Sequence, residues 1–325
     1  MRLAGKDEDI LVADIGGTNS RFAIAGGESG ASWLHGMVRF GNAGMTNFEA
    51  QLSRYTDGLD VALPRRACIA VAGPTDGETA TLTNGDWRFD RARLTGDFGF
   101  SEVMLINDFT ALANSVHSLQ TSQIHRIKTG SPVVGAPLSV IGPGTGLGVA
   151  CVVAPGCQQV VLPTEGGHVD LPVANEEEWL LRQWLHGRTG SSISAEHALS
   201  GAGLQCIDAF LRNNGAERRS AQAITREALQ QQASPGQRAI DLFFTLLARF
   251  AGNTALSQGA RGGVFIGGGI VPRLLPSLDT CSFRRAFIDK GAMAAYCDAI
   301  PIDIITDSDA ALRGAAVAFR QASRA

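Results

Sequence analysis

Three apolar runs in this chain open directly onto glycines. Ile10-Leu11-Val12-Ala13-Asp14-Ile15 leads into Gly16-Gly17, Leu138-Ser139-Val140-Ile141 into Gly142-Pro143-Gly144-Thr145-Gly146-Leu147-Gly148, and Val264-Phe265-Ile266 into Gly267-Gly268-Gly269. A buried strand that ends on bare backbone is the device by which α/β sheets receive a ligand at their carboxyl ends. Further β-type runs lie at Ala67–Ala72, Val103–Ile106 and Val149–Val153, with helical periodicity between several of them, so the class expected is α/β. The first run continues through Gly16-Gly17 into Phe22-Ala23-Ile24-Ala25 and reads as a hairpin, not as a strand feeding a helix.

A chain of 325 residues exceeds one ordinary core and suits two packed lobes. The expected division is a smaller lobe of residues 1–108 with 309–325 and a larger lobe of residues 109–308. Four helices are expected. One follows Asn107-Asp108, from Phe109 to about Val116. Another starts on Glu176-Glu177-Glu178, whose acids suit a helix N-terminus, and ends at Gly187. A third, Gln237 to Gln258, aligns Ile240, Phe243, Phe244, Leu247, Phe250 and Ala251 on one buried face. The last, Ala310 to Ala322, is expected to pack back on the N-terminal lobe.

Composition removes several functions. The net charge of −3 supplies no field for nucleic acid or an acidic membrane surface. The stretch Leu138 to Pro155 is broken by Pro143 and four glycines and suits strand–loop–strand better than a membrane span. The charged start, Lys6-Asp7-Glu8-Asp9, lacks the apolar core of an export signal, so a cytoplasmic location is expected. The cysteines at 68, 151, 157, 206, 281 and 297 show no CxxC spacing and read as reduced, mostly buried thiols.

Each chemical candidate carries an ordinary structural alternative. Asp14-Ile15-Gly16-Gly17-Thr18-Asn19-Ser20-Arg21 either cradles phosphates with its backbone N–H groups or is a hairpin whose glycines supply positive φ. Asp14 favours the first reading, because a carboxylate ending an apolar strand needs solvent or a cation, and hydrated Mg²⁺ beside phosphate suits it. The glycines at 142–148 match neither the Rossmann nor the P-loop pattern, yet their bare backbone can wrap a triphosphate. Gly267–Gly269 can lie flat against an adenosine. Asp108 is either a general base or the N-cap of the helix that follows it. Glu165-Gly166-Gly167-His168 places a carboxylate and an imidazole about one turn, as a polyol clamp or as solvated loop residues. Glu196 is either a sugar ligand or an acid in the first turn of a helix.

With these residues in place, the chain resembles the bacterial glucokinases from Asp14 to near Arg313. The resemblance implies a two-lobed actin-like ATPase (ribonuclease H-like) fold with an interdomain nucleotide and sugar cleft, using ATP and Mg²⁺ to phosphorylate glucose. It implies that Ala13, Asp14, Ile15, Gly16, Gly17, Thr18, Asn19 and Arg21 form the first phosphate site. Gly142, Gly144, Thr145 and Gly146 form the second, and Gly267, Gly268 and Gly269 lie near adenosine. Asn84, Asn107, Asp108, Glu165, His168 and Glu196 bind the sugar, with Asp108 the base toward the 6-hydroxyl. No protein side chain is expected to ligate metal directly; Asp14 reaches Mg²⁺ through water. A homodimer is implied, with no nucleic acid or membrane partner. A related family of sugar kinases and repressors has a zinc-binding cysteine cluster after the histidine. None follows His168, and the short stretch before the first strand suits no helix-turn-helix. The alternatives kept are a kinase of another hexose or amino sugar, and a non-catalytic sugar sensor on the same fold.

Overall fold

The computed structural model describes residues 8–27, 33–83, 85–154, 159–212, 218–231 and 233–323. Its internal contacts divide the chain into two units, one running to Gln120 and resuming at Asp307, the other Thr121–Thr306.

The first unit is built on β1 (Ile10–Ile15), β2 (Asn19–Ala25), β3 (Leu34–Gly41), β4 (Arg66–Val71), a small hairpin of β5 (Thr79–Thr81) and β6 (Arg88–Asp90), and β7 (Glu102–Asn107). Its main sheet has the order β3-β2-β1-β4-β7. The first three strands form an antiparallel meander, and β4 and β7 run parallel to β1. Strand β1 is buried on both faces, which is why it reads as a continuous apolar run. Leu11, Ala13 and Ile15 meet Phe48, Leu52 and Tyr55 of α1 (Phe48–Asp57), and Leu94 of α2 (Arg91–Phe98) joins the same core. Ile10 and Val12 point the other way, into a core with Ala111 of α3 (Asp108–Ser115) and Leu312, Ala315, Ala316 and Phe319 of the last helix, Ala310–Ala322. By the same alternation Asp14 falls on that second face.

The second unit contains β8 (Ile124–Lys128), β9 (Leu138–Pro143), β10 (Leu147–Val153), β11 (Val160–Thr164), β12 (Gly263–Ile266) and β13 (Ile302–Ile305), ordered β11-β10-β9-β12-β13-β8. Strands β9, β10 and β11 form a meander, and β12 and β13 run parallel in line with β9. Apart from the added edge strand β8, this repeats the topology of the first unit. No repeat is visible in the amino-acid sequence, so the resemblance is one of architecture. In both units the hairpin joining the first two strands carries the glycine turn, Gly16–Thr18 in one and Gly144–Gly146 in the other. Around the sheet lie α4 (Glu176–Thr189), α5 (Gly201–Leu211), α6 (Ala221–Gln230), α7 (Pro235–Gln258), α8 (Val271–Leu274), α9 (Thr280–Ile288) and α10 (Ala294–Asp298); the last helix of the chain, in the first unit, is α11. Helix α7 is long and apolar enough to cross a membrane, but 72% of its most apolar window is buried in the protein, where Ile240, Phe243, Leu247 and Phe250 form the middle of a core.

The α/β class, the opening hairpin, the strand–loop–strand at Leu138 and all four expected helices are present. Three boundaries differ. Gly187 does not end α4: nothing about a helical glycine forces termination, and the stop is Gly190, at φ 65° in the left-handed region. Glu196 is not in an α-helix but in a single 3₁₀ turn, Ala195–His197, since α5 starts only at Gly201. The contacts divide the chain after Gln120, not after Asp108, because α3 packs along α11. The thiols of Cys68, Cys151, Cys206 and Cys297 are buried and that of Cys281 is exposed; Cys157 lies outside the described residues.

The α3–α11 crossing is close enough that a Cβ on Gly314 would overlap the carbonyl oxygen of Ala111. Gly314→Ala should therefore destabilise the protein by about 3 kcal/mol. By contrast Gly187→Ala, in an exposed helical position with open space around it, should stabilise by about 0.5–1 kcal/mol. Denaturant unfolding of both variants checks the pair; equal effects of one sign would contradict the packing described.

Candidate functional site

In the first unit, the hairpin turn is braced from one side. Gly16 N–H donates to Asn19 O (2.9 Å), and Asn42 holds both limbs: its backbone N–H donates to Thr18 O (2.9 Å), and its Nδ2 to Gly16 O (2.7 Å). Ser20 Oγ donates to Asn42 Oδ1 (2.7 Å), and the fully buried Gln51 donates to Gly41 O (3.1 Å). Gly17 and Thr18 are left exposed at the tip. A turn fixed this way presents its backbone without needing to reorganise when an anion arrives.

Asp14, Arg21 and Arg39 are register partners across β1, β2 and β3. Arg21 Nη1 donates to Asp14 Oδ2 (2.9 Å) and to Ser308 O (3.0 Å), tying the hairpin to the chain just before α11. Burial pushes the Asp14 carboxyl above the ordinary carboxylate range; the Arg21 guanidinium opposes that shift, and Asp309 adds to it. Ala13 and Ile15, flanking Asp14, are buried in the sheet, so any contact they make with a ligand is through backbone.

At the end of β7 the helix cap falls to a neighbour of Asp108. Asn107 is the N-cap of α3: its Oδ1 accepts from Phe109 N (2.9 Å) and Thr110 N (3.2 Å), and its Nδ2 donates to Gly73 O (3.1 Å). That relieves Asp108 of the capping role, typically worth ~1 kcal/mol. Asp108 Oδ1 accepts from Phe109 N (2.8 Å). The half-buried Asp108 carboxyl is pushed up to about 7, first by desolvation and second by the negative charge of Asp14; the Phe109 N–H and Asn107 pull the other way. Asn84 lies outside the described residues.

In the second unit, glycines allow three turns to meet. Gly166–His168 is a 3₁₀ turn, and a Cβ on Gly167 would strike Leu147 O, so only glycine lets the turn lie on the start of β10. Glu165 and His168 flank it with His168 Nε2 3.9 Å from Glu165 Oε2, and both side chains are largely exposed. Ala195 N donates to Val169 O (2.8 Å), which sets the turn carrying Glu196 beside them. Glu196 Oε2 accepts from Leu147 N (2.8 Å), and a Cβ on Gly146 would come within 2.5 Å of that oxygen. Next to this turn, Gly201 N at the start of α5 donates to Gly144 O (2.9 Å). Gly267 N donates to Ile141 O (2.8 Å), and Gly268, at φ 86°, packs on Pro143 O with no room for a side chain. The two glycine loops of this unit thus lie side by side, with Thr145 exposed in the turn between β9 and β10.

The sequence reading, which assigned Ala13 to Asn19, Arg21, Gly142, Gly144, Thr145, Gly146 and Gly267 to Gly269 to the nucleotide and Asn107, Asp108, Glu165, His168 and Glu196 to the sugar, divides over the two units, with Ala13 to Asn19, Arg21, Asn107 and Asp108 in the first and the others in the second. It missed Asn42 and Arg39. Neither stands in a recognisable motif; Arg39 is found only from strand register and Asn42 only from its hydrogen bonds. Among the described residues no group of three His, Cys, Asp or Glu side chains is arranged to hold a metal ion. The oxygen of Asp14 suits a hard, hydrated cation such as Mg²⁺ that takes its other ligands from water and phosphate.

The raised Asp108 carboxyl has a consequence for stability. Unfolded, the group ionises near ~3.9; folded, it does so at about 7. The unfolded state loses its proton first, so the native state loses stability as pH rises from about 4 to about 7, and the loss persists above that. Asp108→Asn should raise Tm at pH 8 by about 5 °C and leave it unchanged at pH 4. Equal melting of variant and wild type at pH 8 would contradict the shift.

A family model described as glucokinase matches residues 11–322. The chain is 38% identical over 317 residues to the glucokinase of Cupriavidus pinatubonensis, covering 95% of this chain and 91% of that one. It is 36% identical over 314 residues to the glucokinase of Klebsiella pneumoniae, covering 96% and 97% of the two chains. Among solved structures, a glucokinase from an Antarctic psychrotroph is similar with a TM-score of 0.85 and 33% identity, over 96% of this chain and 99% of that one.

Proposed function

The chain belongs to the glucokinase family, and from that premise we propose that it transfers the γ-phosphoryl group of ATP to the 6-hydroxyl of D-glucose, releasing ADP and glucose 6-phosphate. The observation that carries the catalytic assignment is Asp108: a carboxylate just past the end of β7, relieved of helix capping by Asn107, with its proton affinity raised to about 7. A base of that strength is matched to neutral pH. The loose transition state of phosphoryl transfer calls for late removal of the hydroxyl proton, so Asp108 orients the 6-hydroxyl and accepts its proton as the oxygen–phosphorus bond forms.

Glu165, His168 and Glu196 pair the remaining sugar hydroxyls. The braced Gly16–Thr18 turn and Arg21 receive phosphate oxygens, and the Gly144–Thr145–Gly146 turn that follows Gly142 at the end of β9 provides a second phosphate contact, with Gly267–Gly269 for the adenosine. Mg²⁺, when bound, neutralises charge on the phosphates, and Asp14 would hold it through water. The protein is proposed to act in the cytoplasm as a homodimer, without nucleic-acid or membrane partners.

The test is ADP release with Mg²⁺·ATP and, in turn, glucose, mannose, fructose, glucosamine, N-acetylmannosamine and no sugar. Release that depends on glucose is expected. Dependence on another sugar would move the specificity, since a site built to pair one hydroxyl rejects analogues lacking it. Folded protein with no sugar-dependent release would favour a sugar sensor. Asp108→Asn should lower kcat by about a thousandfold while the glucose dissociation constant stays within about threefold. Near-normal turnover in that variant would remove Asp108 from the base role.

A further inference from the structure

We propose that Arg39 is a second phosphate-binding cation of the glycine hairpin, acting beside Arg21 to hold the anionic end of the nucleotide; this deepens the phosphate-site reading and rests on it. Asp14, Arg21 and Arg39 occupy one cross-strand row, each directly opposite the next, so their side chains project from the same face of the sheet. Within that row Asp14 forms its ion pair with Arg21. Arg39 is the row's second cation, offset only by the longer-range attraction of Asp14. It is exposed, forms no ion pair among the described residues, and makes one side-chain hydrogen bond, from Nε to Asn19 Oδ1 at 3.3 Å.

That bond ties Arg39 to the first residue after the turn, so its charge stands at the turn and not along an unrelated stretch of edge strand. The arrangement has a cost. Like charges directly opposite on neighbouring strands destabilise a sheet, and the carboxylate in the row, already paired with Arg21, offsets that repulsion only from a distance. An arriving phosphate removes the repulsion by lying between two guanidiniums whose planar forks suit its oxygens. The competing explanation is that Arg39 merely charges an edge strand against pairing with another chain, as lysines and arginines commonly do. That role is indifferent to nucleotide.

The two are separated by Arg39→Gln and Arg39→Lys. Calorimetric titration with ATP in the absence of sugar should give a dissociation constant raised about tenfold in Arg39→Gln, and by a smaller factor in Arg39→Lys. Tm should be equal or higher because a like-charge contact is gone, and the dissociation constant for glucose alone should stay within about twofold of wild type. Wild-type affinity for ATP should also fall more steeply with added KCl than that of Arg39→Gln. An unchanged ATP dissociation constant in Arg39→Gln would leave Arg39 as an edge-strand charge and overturn the proposal, whatever the acceptor. Because the titration needs no turnover, it decides the role of Arg39 even if wild-type protein releases no ADP with glucose, an outcome that would count against the kinase reading alone.

Discussion

The ion pair between Asp14 and Arg21 organises the carboxyl end of the first unit's sheet. A carboxylate at the end of a strand buried on both faces is expensive to ionise, and the guanidinium directly opposite on the neighbouring strand makes the charge tolerable. The same guanidinium reaches Ser308 O, so the pair also ties the opening hairpin to the segment leading into α11. Its residual field contributes to the proton affinity of Asp108. One interaction thus bears on the hairpin, on the return of the C-terminal helix and on the candidate base. Packing alone would favour an apolar residue at position 14, and the carboxylate there is best understood as stability given up for chemistry.

The second unit achieves precision by a different route. Two of its turns are held by backbone meeting backbone, Gly167 on Leu147 and Gly268 on Pro143, and Gly146 lies against the carboxylate of Glu196. A single methyl group at Gly167 or Gly268 would push a turn away from its neighbour. The glycines are therefore necessary twice, once to expose backbone to a ligand and once to let the loops approach one another. That the same five-strand order recurs in both units explains why a glycine hairpin appears in each at the equivalent connection.

Much of this was legible in the sequence because the relevant signals are local. Apolar runs ending in glycine located the strands and turns, and the periodicity of Ile240, Phe243, Leu247 and Phe250 located α7. Where the reading failed, the deciding contact lay far along the chain. Arg39 comes opposite Arg21, eighteen residues earlier by numbering, only through strand register, and Asn42 reaches Gly16 only through its side-chain bond. Asn and Asp at 107 and 108 are both acceptable N-caps by propensity; only the coordinates assign the cap to Asn107 and so release Asp108. Gly187 was read as a helix stop because a glycine signals one only through its φ, which composition does not reveal.

The central claim is that burial together with the charge of Asp14 makes Asp108 a base suited to neutral pH. The most direct measurement is the titration of the Asp108 carboxyl by carbon-13 NMR, its resonance assigned by loss in Asp108→Asn, in wild type and in Asp14→Asn. The account predicts a midpoint at about 7 in wild type, shifted downward when the charge of Asp14 is removed. Titration in the ordinary aspartate range near ~4 in both proteins would contradict it.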